Sequence, residues 1–216
     1  MFDDRTHAGQ LLAEKLAALN LKNPYILAVP RGGIAVAVPI AAKLQAKLGA
    51  LLAKKIGHPL NSEVAIGAIM PDGSLIHDNQ YISSIGVKQD TFDELTEQAR
   101  KIFDQRVKTY EVLLIKNHEI KGRDIIIVDD GIATGYTMRA AIKWLRKWNP
   151  SSITVAVPVA PTDVTGKLRD DSIGVVCLSE RDVFEAVGTY YKDFREMTDA
   201  EALEYHRLAP GAIVRL

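Results

Sequence analysis

The sequence predicts an α/β fold, a mostly parallel twisted sheet flanked by helices. Three observations predict it. The runs 25–29 (YILAV) and 152–158 (SITVAVP) are apolar on both faces, as strands covered on both sides must be. Such runs alternate with helical segments, the pattern of βαβ units. The chain of 216 residues is long enough for one domain with a sizeable core.

The elements follow in order. Residues 6–19 read as a helix, with Leu11, Leu12, Leu16 and Leu19 on one face. The strand 25–29 stops at Pro30, Gly32 and Gly33 make a turn, and small residues from Ile34 to Leu48 continue as a helix ending near Gly49. Strands are expected at 51–56 and at Val64–Ile69, with SLIHD pairing back as a hairpin after the MPDGS turn. Residues 90–116 read as a long amphipathic helix. A strand over Asp124–Asp129, a loop and a helix over Thr137–Trp148 come next, then strands at 152–158 and 173–178. The tail 180–216 is aromatic and charged.

Composition narrows the function classes. Lys+Arg and Asp+Glu both number 27, so no bulk basic charge draws the chain to nucleic acid or a membrane surface. The single cysteine, Cys177, lies in an apolar run and reads as a core thiol; nothing argues for a disulfide-bearing secreted protein. The acidic start MFDDRTHAG is unlike a signal peptide, and no apolar run approaches the roughly 20 residues of a membrane span. A cytoplasmic protein with neither nucleic-acid nor membrane partners is expected. The histidines show no metal-ligand spacing.

In parallel sheets, ligands bind beyond the carboxyl ends of the strands. Two loops therefore matter, Pro30–Gly33 and Asp129–Thr137. In DIIIVDDGIATGYT (124–137), a buried strand ends on two aspartates and runs into Gly131, Ala133 and Gly135, with Thr134 and Thr137 adding hydroxyls. Backbone amides of such a loop and the start of the following helix suit an anion, best a phosphate. The aspartates would repel that phosphate, so they are acceptors for hydroxyl groups or partners of a divalent cation. A ribose 5-phosphate meets both demands. Plain turn chemistry also uses small residues after a strand. Neither G-x-x-x-x-G-K-[ST] nor a strand-borne G-x-G-x-x-G is present.

The same stretch resembles the phosphoribosyl-diphosphate signature of the type I phosphoribosyltransferases: four apolar residues, two acids, and a short loop closing in T-G-x-T. The similarity extends over most of the chain and is closest to predicted family members of unassigned substrate. These carry a P-R-G-G turn, here Pro30-Arg31-Gly32-Gly33, and a K-x-G-x-P…E-x-A-I-G-A stretch, here Lys55-Ile56-Gly57-His58-Pro59…Glu63-Val64-Ala65-Ile66-Gly67-Ala68.

The resemblance implies a single domain over 1–216, with a core at about 21–178 and a small hood from about 1–20 and 179–216. It implies transfer of ribose 5-phosphate from phosphoribosyl diphosphate (PRPP) to a nitrogen acceptor, usually a nucleobase, with release of pyrophosphate. Gly131, Ile132, Ala133, Thr134, Gly135, Tyr136 and Thr137 would cradle the 5-phosphate, and Asp129 and Asp130 would face the ribose hydroxyls. Arg31, Gly32 and Gly33 would hold the pyrophosphate. The implied cofactor is Mg²⁺, held by substrate and water, with Asp129 and Asp130 as candidate direct contacts. The loop Gly57–Glu63, flanked by Lys54 and Lys55, is the candidate mobile cover; Lys55 and Glu63 are its candidate catalytic residues. A solvated strand end and a surface-loop glutamate are the simpler roles for those two.

Ala133 stands where 6-oxopurine enzymes carry an aspartate, and Ala156–Val159 lacks their lysine, which weakens the resemblance to them; adenine phosphoribosyltransferases share the D-D-x-x-A-T-G-x-T pattern, and the acceptor stays open. The segment Asp182–Phe194 resembles a base-stacking segment, although its aromatics would equally pack a small lobe. The fold often dimerises. A PRPP-sensing regulator without transferase activity is the alternative function. A phosphorylation receiver also opens on I-I-I-V-D-D, but this chain has no third aspartate ending a following strand.

Overall fold

The computed structural model describes residues 1–210. In chain order the elements are α1 (Arg5–Ala17), β1 (Pro24–Ala28), α2 (Gly32–Leu44), β2 (Lys47–Ala50), β3 (Lys54–His58), β4 (Asn61–Ile69), β5 (Leu75–His77), α3 (Asn79–Ser84), α4 (Gln89–Tyr110), β6 (Asp124–Val128), α5 (Tyr136–Arg146), β7 (Ser152–Pro161), α6 (Thr162–Asp170), β8 (Gly174–Arg181) and α7 (Asp199–Arg207). They fall into two compact units, one formed by 1–51, 115–135 and 148–216, the other by 52–114 and 136–147.

The first unit is built on a five-stranded sheet in the order β2-β1-β6-β7-β8. Every pair in it is parallel, as the doubly apolar runs predict. Ile125–Val128 and Ile26–Ala28 in its centre are fully buried. The register is pinned at the amino edge by Asp124. Its carboxylate accepts hydrogen bonds from the Lys22 and Asn23 amides (3.0 and 3.2 Å) and from the Ser152 hydroxyl (2.7 Å), tying β6 to both neighbours. These bonds hold the Asp124 carboxyl below the usual carboxylate range.

Helix α2 is apolar nearly all round and buries eight residues, as a helix enclosed on several sides must. It starts two residues earlier than expected and ends at Leu44, where Gln45 takes a left-handed cap (φ 51°). The expected helix tail is instead β2, paired with Tyr25–Ala28. Parallel pairing along β1 wins over local helical propensity there. Residues 51–53 of the expected second strand are not in a strand.

The second unit carries a separate antiparallel sheet, β3-β4-β5, with α4 and α5 packed on it. Phe92, Thr96, Ala99 and Phe103 recur on one face of α4 and are buried. The expected mobile loop at 57–63 is mostly strand: β3 and β4 form a hairpin with register shifts after Ile56 and Gly57, and Leu60 stands exposed near its tip. The hairpin onto 75–77 forms as predicted. Helix α4 ends at Tyr110, short of the expected 116, and passes into a 3-10 turn. Among the described residues, no helix is long and apolar enough to cross a membrane.

Within the first unit, α7 docks on α2, and the His206 ring nitrogen Nε2 lies 2.8 Å from the Leu48 carbonyl of β2. Burial holds this imidazole below its ordinary pKa, with the Leu48 hydrogen bond opposing. The native state therefore binds protons less readily than the unfolded chain. Its stability should be fully present above about pH 6.5 and decline as the pH falls further. Chemical denaturation of wild type and His206→Gln between pH 5 and 8 checks this: the wild type should lose stability on the acid side of that window, and the variant, which keeps a donor for Leu48, should lose less.

Candidate functional site

The carboxyl ends of β1 and β6 lie side by side. The Val29 amide donates to the Val128 carbonyl (2.8 Å), and the Gly33 amide turns back onto the Val29 carbonyl (3.1 Å). This places the Pro30–Gly33 turn against the two aspartates that end β6. The Pro30–Arg31 peptide is cis.

Gly33 has to be glycine. A Cβ there would lie 2.7 Å from the Val128 carbonyl oxygen and 3.1 Å from Asp129 Cα. A Cβ on Gly32 would overlap Asp130 Oδ2 and come within 2.7 Å of Arg5 Nε. In the loop after β6, a Cβ on Gly131 would meet the Val187 side chain, and Gly135 takes φ +69° against Val164. The glycines thus serve close approach as well as turning.

The diad is asymmetric. Asp129 is half-buried, and its Oδ1 accepts the amide of Asp130 at 2.8 Å. Burial, reinforced by the Asp130 charge, pushes its carboxyl well above the usual carboxylate range. Asp130 is held by Arg5, whose Nε donates to Oδ2 at 2.8 Å; the two side chains are 12% and 17% exposed. Arg5 also donates through Nη1 to the Arg195 carbonyl at 3.0 Å, and its guanidinium lies 4.0 Å from the centre of the Phe194 ring. Tyr191 donates its hydroxyl to the Asp130 carbonyl at 2.6 Å and stacks on Phe194. Burial and the nearby Asp130 charge push this phenol up.

Sequence reasoning missed Arg5. Asp4 caps α1 by accepting the His7 amide, which sets Arg5 in the first helical turn. A cation there opposes the helix dipole, and this was the one local hint that Arg5 serves a distant partner. The aromatic tail packs on itself and on α1: Phe2 contacts Tyr191, Phe184 stacks on Tyr190, and Phe194 lies between Tyr191 and Arg5. Of the two roles expected for these rings, the structure displays the packing one.

The structure brings Arg31, Gly32, Gly33 and Asp129–Gly135 together in the first unit. Arg31 pairs with the exposed Glu196 at 2.7 Å, an interaction worth at most about 1 kcal/mol in solvent. Ala133 and Thr134 are exposed, whereas Ile132 is buried and its amide donates to the Val159 carbonyl at 3.0 Å, which removes that one amide from any phosphate cradle. Tyr136 and Thr137 open α5 and belong to the second unit. So do Lys55, opposite Ala68 in the hairpin, and Glu63, whose side chain lies outside the described residues. Among the described residues, no group of three or more histidine, cysteine, aspartate or glutamate side chains is placed to hold a metal ion.

Parallel-sheet topology, the acid pair at a central strand end and the glycine turn beside it define a phosphoribosyltransferase fold. The chain belongs to the phosphoribosyl transferase domain family, whose model matches residues 5–195. Relatives from two Mycobacterium tuberculosis strains, each named "Putative phosphoribosyl transferase", are 33% identical over 208 residues, covering 95% of this chain and 46% of their own length. The chain thus spans about half the length of the curated relatives it matches. The crystal structure of TT1426 from Thermus thermophilus is similar over 94% of this chain and 96% of its own, with 38% identity and a TM-score of 0.82. A purine phosphoribosyltransferase from Pyrococcus horikoshii shares the fold at 15% identity and a TM-score of 0.50, over 88% of this chain and 91% of its own.

Two outcomes follow from this geometry. Asp129→Asn keeps the Oδ1 acceptor and removes a carboxylate that burial and Asp130 disfavour, so thermal unfolding should shift up by about 2–4 °C, the equivalent of roughly 1 kcal/mol. Gly32→Ala should lower the stability measured by urea denaturation by about 1–3 kcal/mol, because its methyl group forces Asp130 and Arg5 apart.

Proposed function

We propose that the chain is an enzyme that transfers ribose 5-phosphate from PRPP to a nitrogen acceptor, a nucleobase being the first class to test, with release of pyrophosphate. The observation that carries this reading is the juxtaposition, within one unit, of the Asp129–Asp130 diad and its following loop with the Arg31-Gly32-Gly33 turn. A sugar phosphate needs hydroxyl acceptors and an anion cradle a few ångströms apart, and a diphosphate needs a second cradle beside them.

In this reading, Asp129 and the oxygen of Asp130 that Arg5 leaves open orient the ribose through its hydroxyls. The loop over 131–135 receives the 5-phosphate by its exposed part, Ala133 and Thr134. The Gly32 and Gly33 backbone receives the pyrophosphate, and the Arg31 guanidinium is drawn from Glu196 to the stronger charge of the diphosphate. As the bond from C1 to the pyrophosphate oxygen breaks, positive charge grows on the ribose ring and negative charge on the leaving group. The electron pair leaves with pyrophosphate, and the acceptor nitrogen forms the new bond at C1. Catalysis by this chain is then chiefly positioning and charge stabilisation. Roles for Lys55 and Glu63 in covering the site or moving a proton belong to the same proposal.

Mg²⁺, when bound to PRPP, would offset the charge of the diphosphate. The diad does not fit direct metal ligation, because a guanidinium already sits on Asp130 Oδ2. A protein at work on PRPP and bases would operate in the cytoplasm, and a homodimer is part of the proposal.

Calorimetric titration with PRPP, with and without Mg²⁺, tests the site. Micromolar binding that Mg²⁺ strengthens, and that Asp129→Asn weakens at least tenfold, is expected. Pyrophosphate release is then measured against a panel of nucleobases, adenine first. Binding without release for any nitrogen acceptor would replace the enzyme with a PRPP-sensing regulator. Absence of binding would overturn both.

A further inference from the structure

We propose that Arg5 is a positioning residue that guards the acid diad, keeping bare divalent cations off Asp129 and Asp130 while leaving the diad open to sugar hydroxyls. Two adjacent carboxylates at a strand end are otherwise an attractive place for a hard cation, which binds oxygen donors and is drawn by their summed charge. Arg5 changes both properties. Its Nε occupies Oδ2 of Asp130 at 2.8 Å, and its positive charge stands beside the diad.

The guard is built in rather than incidental. Arg5 is anchored at three points: Asp130, the Arg195 carbonyl and the Phe194 ring. Only 12% of its side chain is exposed, which separates it from the exposed Arg31–Glu196 pair. Tyr191, stacked on Phe194, holds the backbone of the very residue that Arg5 grips. Gly32 leaves out the one atom that would push the pair apart. The guanidinium presents only N–H donors, and no lone pair, to an approaching cation. Hydroxyl groups are not repelled by it; they donate to the oxygens that remain.

The consequence for PRPP, which rests on the function proposed above, is an order of arrival: the metal enters as part of the metal–PRPP complex and does not wait on the protein. The bare-cation part stands independently of that function.

Mn²⁺ titration followed by electron paramagnetic resonance tests it, with no sugar phosphate present. Wild type should bind no Mn²⁺ at the diad below millimolar concentration. Arg5→Gln should gain one site at least tenfold tighter, and Arg5→Lys, which keeps the charge, should not. Arg5→Gln combined with Asp130→Asn should lose the gained site. Circular dichroism verifies that each variant is folded; should Arg5→Gln fail, Arg5→Met, which retains the stem over Phe194, takes its place. Micromolar Mn²⁺ binding by wild type that Asp129→Asn removes would overturn the proposal whatever the variants do, as would a folded Arg5 variant without charge that binds no better than wild type. A further arm adds PRPP to wild type. Mn²⁺ should then become protein-bound, and failure of this arm alone would count against the PRPP reading and leave the guard standing.

Discussion

The pairing of β1 with β6 is the constraint on which the rest of the first unit depends. These two strands lie far apart in sequence and run in register from Pro24 beside Asp124 to Ala28 beside Val128. Because both strands point the same way, their carboxyl ends coincide, and whatever follows each strand is delivered to the same place. Here that means a glycine turn from one and an acid pair from the other. A slip by one residue would move every side chain of the strand to the other face of the sheet and would part Gly33 from its place against the Val128 carbonyl. Asp124 prevents the slip from the far end, through three hydrogen bonds to β1's leader and to β7.

Electrostatics at the carboxyl edge is resolved by dividing labour between two like residues. Asp129 sits in the less hydrated position, its charge opposed by burial and by its neighbour. Asp130 has a guanidinium of its own. Two poorly hydrated carboxylates without a guanidinium would repel each other directly. Under the function proposed above, a loss of stability there is tolerated because the arrangement is set by what it would hold.

The strands of the parallel sheet were legible in the sequence because burial on both faces leaves continuous apolar runs, and DIIIV and SITVAVP admit little else. The diad and the P-R-G-G turn were legible because each is formed by residues close in sequence. What escaped notice was set by distance or by competition. Lys47–Ala50 continues the small, apolar character of α2, and only its partner strand makes it β2. The segment 57–63 looks like a loop because of Pro59 and its polar neighbours, yet cross-strand pairing carries most of it into a hairpin. Arg5 is separated from Asp130 by 125 residues and from the tail that covers it by still more, so no local pattern announces it beyond its awkward place at the start of a helix.

The guanidinium clamp joins three widely spaced stretches of chain: Arg5 near the start, Asp130 beyond the middle, and Phe194 and Arg195 in the tail. Contacts of this kind are closed late, because the entropy of bringing distant segments together must be met before the contact rewards it. During synthesis, α1 emerges long before either partner exists, and the acid pair emerges before the tail. A nascent or truncated chain can therefore form the central strands and carry both aspartates without the arginine fastened over them. Arrival of Phe194 and Arg195 is what fastens the arginine over the pair of carboxylates.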